Sequence, residues 1–526
     1  MAALLWEIAV WLDGGWDFYP PQTGWLAYVI DENLLLAWDG SAWQPALDIL
    51  GSAAQNMALL GLGTTADTSN PFSAKLNNAL WTAKAVAEGG DGHLRYKLSK
   101  ESAAKTLSLL FQDNYSGRAE IGLTGDDDFH FKVSADGSSW HDALTIDRTS
   151  GKLTFNQGLA TPAAPFEAMA AANLALNADH IVSQESVDTA VTGIGAAGGA
   201  EAYGTDQWKI RAKGSLRVSG QRITSLSLPG IKYALRATIT TMQSSLGSGD
   251  YLQVSQPIEG LRALKLALGA ASAAPVAVGV YVRSSVPGTF AVQLSNSARN
   301  RSICKLVTIG TANSWTWVAL AGSPGSGATA FPGDTSGSWL TDTGVGLRVA
   351  VTLAAGTAMV GSADAWSAAD VMSSSAQTNL AATASATFDV TALCVFAGTE
   401  LPVAGSVPLM MRPEERELAL CSRYYRKSYE LGKTPGSATV LGGMNVKGPS
   451  NAGSWIVNVE LNPPMRAAPT VTLYDNLGAG GKVYKGGTGK TASIGSNVSG
   501  SRFAAGTDDT TAATELFFQY VADARL

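Results

Sequence analysis

Apolar and polar residues alternate in short runs along most of this chain, and Gly, Asn, Asp and Pro break the runs every eight to twelve residues or so. The longest series lies in the middle. Trp208–Ala212, Tyr233–Thr240, Tyr251–Pro257, Ala277–Arg283, Thr289–Leu294, Ser314–Leu320, Gly346–Val351 and Ala386–Val395 each read as a strand. Many short strands joined by Gly/Ser loops predict a β-sandwich or jelly roll over 174–405. A second series, over 92–158, includes His93–Leu98, Leu107–Phe111, Ala119–Leu123, Phe129–Ser134 and Ala143–Ile146. Helical spacing is scarce. Ala79–Glu88 reads as a short helix. A second helix begins at Pro413-Glu-Glu-Arg-Glu, where acids in the first turn, with Arg423–Lys427 near its end, complement the helix dipole. Leu418, Cys421 and Tyr425 would share one of its faces. Strands follow at Trp455–Leu461, Thr470–Tyr474 and Glu515–Val521.

The first 45 residues hold six of the fourteen tryptophans and no Lys or Arg. Trp11/Trp16 and Trp38/Trp43 each bracket an Asp-Gly pair, Asp13-Gly14 and Asp39-Gly40. Asp-Gly tolerates the positive φ of a tight hairpin turn, and the spacing sets the two indoles opposite each other across the ladder. The Ala/Pro-rich stretch 159–173 is too short and too often broken by Pro for a coiled coil, and it reads as a linker. The fold class is therefore all-β, with serial modules. A hairpin-rich domain spans 1–158, the sandwich spans 174–405, and a small C-terminal β domain with one helix spans 406–526.

Composition narrows the function. The net charge is −6, and residues 1–50 carry seven acids without a base. With no basic stripe to neutralise phosphates, nucleic-acid binding is not expected. An acidic surface is also repelled by anionic lipid. The longest apolar stretch, Leu266–Val282, is interrupted by Pro275, so no membrane insertion is expected. Cys304, Cys394 and Cys421 fit neither a zinc pattern nor a disulfide framework and read as half-buried thiols.

Candidate chemistry is sparse. All four histidines, His93, His130, His141 and His180, precede most of the sandwich, which excludes a Ser-His-Asp or Cys-His centre built within it alone. Asp126-Asp127-Asp128 is the densest carboxylate cluster and reads either as a Ca²⁺ or glycan-cleaving site or as a solvated hairpin turn. Tryptophan is more informative, because aromatic faces stack on the CH face of a pyranose while Asp, Asn, Arg or Gln fix its hydroxyls. Trp315 and Trp317 are two apart, so on a strand they face one side, as a stacking platform or as core. Trp339 sits in a Gly/Ser/Thr loop between Asp334 and Asp342. Trp366, flanked by Asp364 and Asp370 in GSADAWSAAD, is the leading candidate for a ring that touches a ligand. No catalytic residues are assigned. No cofactor is expected beyond a possible Ca²⁺ held by loop acids. Arg423-Tyr-Tyr-Arg-Lys427 reads as an interaction patch or as the basic end of the helix.

The N-terminal hairpins, together with GLGTTAD (61–67), SLLFQ (108–112), SGRAEIGLTGDDDF (116–129) and KVSADGSSW (132–140), resemble phage and gene-transfer-agent tail-fibre proteins with a DUF2793 domain. The helix-forming run that usually opens that family is missing, so the resemblance implies a fibre domain over 1–158 without its N-terminal part. Further on, YLQVSQPIEGLR (251–262), GDTSGSWLTDTGVGLRV (333–349), TFDVTALCVFAGT (387–399) and RPEERELALCSRYYRKSYE (412–430) resemble the C-terminal half of many phage tail fibres. In those proteins a carbohydrate-binding-module-like jelly roll precedes a small tip with a segment like PPMRAAPTVTLYD (463–475), and NLALNAD (173–179) is similar to the run that opens the jelly roll. The resemblance implies a non-enzymatic receptor-binding fibre or spike on a virion or phage-like tail, made in a bacterial cytoplasm. Its implied partners are a host surface polysaccharide, other tail or baseplate proteins and two further copies of itself in a homotrimer. A capsule depolymerase and a purely structural fibre or head spike are the alternatives.

Overall fold

In this computed structural model the described residues are 7–46, 57–156, 164–224, 226–322, 329–451 and 453–526. The chain divides into two compact units, Met1–Leu159 and Ala160–Leu526.

In the first unit, β1 (Ile8–Leu12) and β2 (Gly15–Tyr19) form the expected hairpin. Trp11 is opposite Trp16, with ring centroids 5.2 Å apart and edge to face. Asp13 and Gly14 both take positive φ, 44° and 87°, as a two-residue turn with right-handed strand twist requires. β3 (Leu26–Val29), β4 (Leu34–Trp38) and β5 (Trp43–Pro45) make a small sheet in which Trp38 meets Trp43. Its Asp-Gly turn differs from the first. The loop is four residues long, and the Asp39 carboxylate closes it by accepting from the Ser41 and Ala42 amides, both at 2.7 Å. β6 (Leu60–Leu62) and β7 (Phe72–Ala74) pair in parallel.

Ala79–Glu88 is not an α-helix; only Val86–Glu88 makes a 3₁₀ turn. Leu80 and Trp81 are exposed, so this short segment has no packed apolar face to offset the cost of helix nucleation. Residues 93–98 lie outside any strand, and the Tyr96 ring instead rests edge-on against Trp81.

β8 (Thr106–Asp113), β9 (Ser116–Thr124), β10 (Phe129–Val133), β11 (His141–Ile146) and β12 (Leu153–Thr154) form an antiparallel meander. Register sets Leu109, Ile121 and Phe131 in one row and Phe111, Ala119 and Val133 in the next, all on one face. Leu109, Phe111, Phe129, Phe131 and Val133 are exposed. Among the described residues of this unit only Ala37, Trp38 and Ala66 are buried apolar side chains.

The second unit includes α1 (Ala164–Ala172), inside the stretch 159–173 read as a linker; residues 159–163 of that stretch lie outside the described residues. Asn173–His180 follows, buried but not a strand. Backbone and side-chain bonds together satisfy it: Leu174 donates to the Val395 carbonyl and Ala178 accepts from the Leu393 amide, Gln256 bonds both the amide and the carbonyl of Leu176, and Arg412 donates to the carbonyls of Asn173 and Ala175, while the Asn173 side chain bonds the backbone of Leu393 and Val395.

Twelve strands then build a sandwich. They are β13 (Val191–Ile194), β14 (Ala200–Thr205), β15 (Trp208–Lys213), β16 (Arg217–Ile223), β17 (Ala234–Thr241), β18 (Tyr251–Glu259), β19 (Val276–Ser284), β20 (Gly288–Ser295), β21 (Ser302–Ile309), β22 (Thr316–Leu320), β23 (Val345–Ala355) and β24 (Thr387–Ala397). One antiparallel sheet has the order β13-β16-β17-β24-β19-β22 and the other β14-β15-β18-β23-β20-β21. Their facing sides interdigitate in one continuous apolar core that contains Trp208, Ile210, Leu252, Val254, Phe290, Val292, Val349, Val351, Phe388 and Val390. The fold is all-β, as the alternation predicts.

The remaining residues of this unit build smaller sheets around an apolar cluster of their own. α2 (Glu414–Cys421) has three acids in its first turn. It ends before Tyr425, which belongs to the strand Tyr425–Lys427 and pairs with Asp523, so Tyr425 does not share a helix face with Leu418 and Cys421. The Ser422 hydroxyl bonds the Leu418 carbonyl at 2.7 Å where the helix stops. The final strand, Ala513–Asp523, pairs with Tyr425–Lys427, Met444–Asn451, Thr470–Tyr474 and Lys482–Lys485. This part is tied to the sandwich through Glu259, which accepts from Arg423 at 2.7 and 3.0 Å and from the Tyr424 hydroxyl at 2.6 Å. Among the described residues no helix is long and apolar enough to cross a membrane.

Candidate functional site

Strand alternation gives each sheet of the sandwich an outer face. In β15 the residues Trp208, Ile210 and Ala212 enter the core, which sends Lys209, Arg211 and Lys213 outward. Register continues that row. Arg211 lies opposite Gln253, Gln253 opposite Thr352, and Thr352 opposite Ala291; one step along, Ser255 lies opposite Ala350, and Ala350 opposite Gln293.

The polar side chains of this face bond to one another across the strands. Arg211 Nη1 donates to Gln253 Oε1 at 2.9 Å; Gln253 Nε2 donates to Gln293 Oε1 at 2.8 Å and Thr352 Oγ1 at 3.0 Å; Gln293 Nε2 donates to Asp370 Oδ1 at 2.9 Å. Glu201 on β14 closes the far end by pairing with Lys209 and Arg211. The segment after β23 covers the other end, where the Val371 carbonyl accepts from Gln293 and its side chain packs on Ala291 and Cys304. That burial pushes the Cys304 thiol up to about 11.

Arg348, on β23, faces the same side, opposite Pro257 and Ser295. It is only 8% exposed, yet its Nε and Nη1 are buried without a hydrogen-bond partner among the described residues. The Ser255 hydroxyl nearby is also buried and unpartnered. Burial, and then the charges of Arg299 and Arg211, bring Arg348 down to about 10. Burial and Arg299 lower Arg211 in the same way. Burial works against ionisation of Glu201, but the Lys209 hydrogen bond and the charges of Lys209 and Arg211 hold it below its ordinary value. The face therefore gathers Lys209, Arg211, Arg299 and Arg348 against two carboxylates, Glu201 and Asp370.

The tryptophans read from the sequence lie elsewhere. Trp339 and Trp366 meet edge to face, 5.6 Å apart, at one end of the core. Arg301 forks onto Asp334 at 2.5 and 2.9 Å, Trp339 Nε1 donates to the same carboxylate at 3.0 Å, and Trp366 Nε1 donates to the Pro332 carbonyl at 3.0 Å. The four side chains thus tie three loops together. Asp364 pairs with Lys305 at 2.6 Å, and Asp342 accepts from the Gly344 amide. Asp370 is the one candidate acid that reaches the polar face. Trp315 and Trp317 lie together on the outer face of the opposite sheet. Both are half-buried against a separate apolar cluster that includes Ala392, Phe396, Val407 and Met410; Trp315 Nε1 bonds the Leu226 carbonyl, and Trp317 leans on Tyr281.

In the first unit, protein groups occupy all three carboxylates of Asp126–Asp128. Asp126 bonds His130, Asp127 pairs with Lys100 and Arg148, and Asp128 accepts from the Arg148 amide. His130 also contacts Asp142, and although burial lowers its pKa, the two carboxylates raise it above the ordinary value. His141 is exposed on β11. Among the described residues no three His, Cys, Asp or Glu side chains gather in a way that could hold a metal ion. All three cysteines are free and buried, more deeply than the half-burial read from the sequence.

Residues 5–44 match the family described as "Protein of unknown function (DUF2793)". No curated protein matches the chain. Among solved structures, the chain is similar to an arabinose-bound α-L-arabinofuranosidase of family GH51, at 11% identity and a TM-score of 0.23, covering 49% of this chain and 32% of that one. It thus spans about a third of that enzyme's length. It is also similar to a family 11 carbohydrate-binding module from Clostridium thermocellum in complex with a β-1,3-1,4-mixed-linked tetrasaccharide, at 10% identity and a TM-score of 0.21, covering 39% and 98%. A family 61 carbohydrate-binding module in complex with β-1,4-galactotriose gives 12% identity, a TM-score of 0.17 and coverage of 35% and 88%.

Proposed function

We propose that this chain is a tail-fibre or spike protein of a phage or gene-transfer-agent particle, and that its sandwich binds a polysaccharide of the host cell surface on the outer face of β15, β18, β23 and β20. One observation carries the binding reading: a four-strand row of hydrogen-bonded polar side chains on the side of the sheet away from the core, with buried donors left over. A buried unpaired donor costs about 1–3 kcal/mol, a cost that a bound hydroxyl or anion would relieve. Gln253, Gln293 and Thr352 are fully buried and hold Arg211 and Asp370 in place from beneath, and the half-exposed Lys209, Asp370 and Tyr251 are the groups that would meet sugar hydroxyls. No acid is assigned a catalytic role, so the mechanism is non-covalent, with weak sites strengthened by copy number on one particle. The fibre reading rests on the sequence blocks quoted above.

Copies of the chain pack side by side in this reading, as a homotrimer. The apolar face of the β8–β12 sheet supports it, because Leu109, Phe111, Phe129, Phe131 and Val133 lie exposed in one patch while the described residues of the unit include almost no buried apolar side chain. Phe131→Asp should then convert a trimer to monomers in analytical ultracentrifugation; a wild-type monomer would remove the oligomer from the account.

The binding reading is tested with purified full chain on intact host-type cells, before and after their surface polysaccharide is stripped. Saturable binding lost on stripping is expected. Binding that survives stripping points to a protein receptor, and no binding at all favours a purely structural fibre.

A further inference from the structure

The chain as a whole is acidic, with a net charge of −6, yet the polar face of the sandwich concentrates cations. Lys209 and Arg211 share Glu201. Asp370, the other carboxylate of the face, already accepts from Gln293. Arg299, at the tip of the β20–β21 hairpin, and Arg348, on the sheet itself, hold no carboxylate among the described residues. Arg348 is the more telling of the two, because a guanidinium that is more than nine-tenths buried normally has its donors satisfied. Its neighbours on the face, Ser255, Pro257, Ala350 and Ser295, are small and buried beneath it, and none of them offers it a carboxylate. Like charges surround it, so each of these arginines raises the cost of the others, and a single anion would relieve several at once.

We infer that this face is built for an anionic polysaccharide, one whose sugars carry carboxylates or sulfate or phosphate esters, with Arg348 and Arg299 as the groups that receive the negative charge. This rests on the glycan-binding reading and names its ligand class. Guanidinium suits the role because it stays charged when buried and donates in a fixed plane to oxyanions.

The test puts the full-length chain on a glycan array of matched pairs: a polyuronate and its carboxyl-reduced form, and a sulfated and a phosphorylated glycan with their de-esterified forms. Binding should be at least tenfold stronger to the acidic member of a pair, about one charge-assisted contact, and should weaken with added salt. The pair that responds identifies the anion. Arg348→Gln should bring acidic binding down to the neutral level, and Arg299→Gln, at the half-buried hairpin tip, should weaken it several-fold, with thermal unfolding showing that each variant is folded. Equal binding to both members, insensitive to both substitutions, overturns the anionic inference and leaves glycan binding intact. Acid-selective binding unchanged in both variants places the anion elsewhere. Binding to no glycan removes both readings together.

Discussion

The two outer faces of the sandwich differ in how they settle their charges. On the β13–β22 sheet, Arg236 and Arg283 share the buried Asp389 at 2.7–3.0 Å, Arg222 pairs with Asp188 at 2.7 Å, and Arg283 lies 4.5 Å over Trp315. A cleft of about 470 Å³ opens there, lined by Gln221 and these three arginines, but each guanidinium already holds a carboxylate. An apolar cluster with Val407 and Met410 covers the rest of that face. On the β14–β21 sheet the side chains are similar in kind, but the carboxylates fall short of the cations and Arg348 is left over. Arginine content alone therefore does not separate the two faces; the unpaired guanidinium does. The first face uses charge to hold strands together, and the second keeps charge unspent.

Substitutions sharpen this contrast. Asp389→Ala leaves two guanidiniums against a buried gap and should cost about 3–5 kcal/mol of sandwich stability in denaturant unfolding; a cost under 1 kcal/mol would dissolve the distinction between the faces. A buried carboxylate away from both faces, held by backbone amides, gives an intermediate case. Asp179 is pushed up to about 6 by burial and then by the charge of Glu417. Its folded pKa exceeds the unfolded value, so the folded chain binds this proton more tightly. The contribution is present below about pH 4 and is lost as pH rises through 6. Asp179→Asn should therefore gain about 2 kcal/mol at pH 7 and almost nothing at pH 4, read from thermal unfolding at the two values. The smallest effect is expected at Arg348. Arg348→Met removes a buried charge that has no partner, so stability should hold or rise by about 1 kcal/mol. A loss above 2 kcal/mol would mean that the guanidinium is paired in solution and that the two faces are alike.

Local signals were legible in the sequence. The Asp-Gly turn at Asp13-Gly14, the strands of the sandwich and the helix start at Pro413 all follow from short-range chemistry. The second Asp-Gly turn differed because the Asp39 side chain, not backbone φ at two residues, closes the loop. Ala79–Glu88 had helical residues but nothing to pack against, and Tyr425 was drawn from its helix by pairing with Asp523. The proposed site was legible only by halves. Alternation within β15, β18, β20 and β23 already sends Arg211, Gln253, Gln293 and Arg348 to the side opposite Ile210, Val254, Val292 and Leu347. The strand order that sets those four side by side joins segments that are far apart in sequence, and alternation is silent on it. Tryptophan was the louder signal in composition, yet indole N–H groups spent on Asp334, Pro332 and Leu226 mark rings that pin loops. A paired Arg236 and an unpaired Arg348 look the same in sequence.

The most direct test compares glycan binding of the full chain carrying Gln253→Ala, at the centre of the polar row, with that of Arg236→Ala on the opposite face, each checked for folding by thermal unfolding. Binding lost in Gln253→Ala and kept in Arg236→Ala is the result this account predicts. Binding kept in Gln253→Ala and lost in a folded Arg236→Ala would contradict it and move the site to the other side of the sandwich.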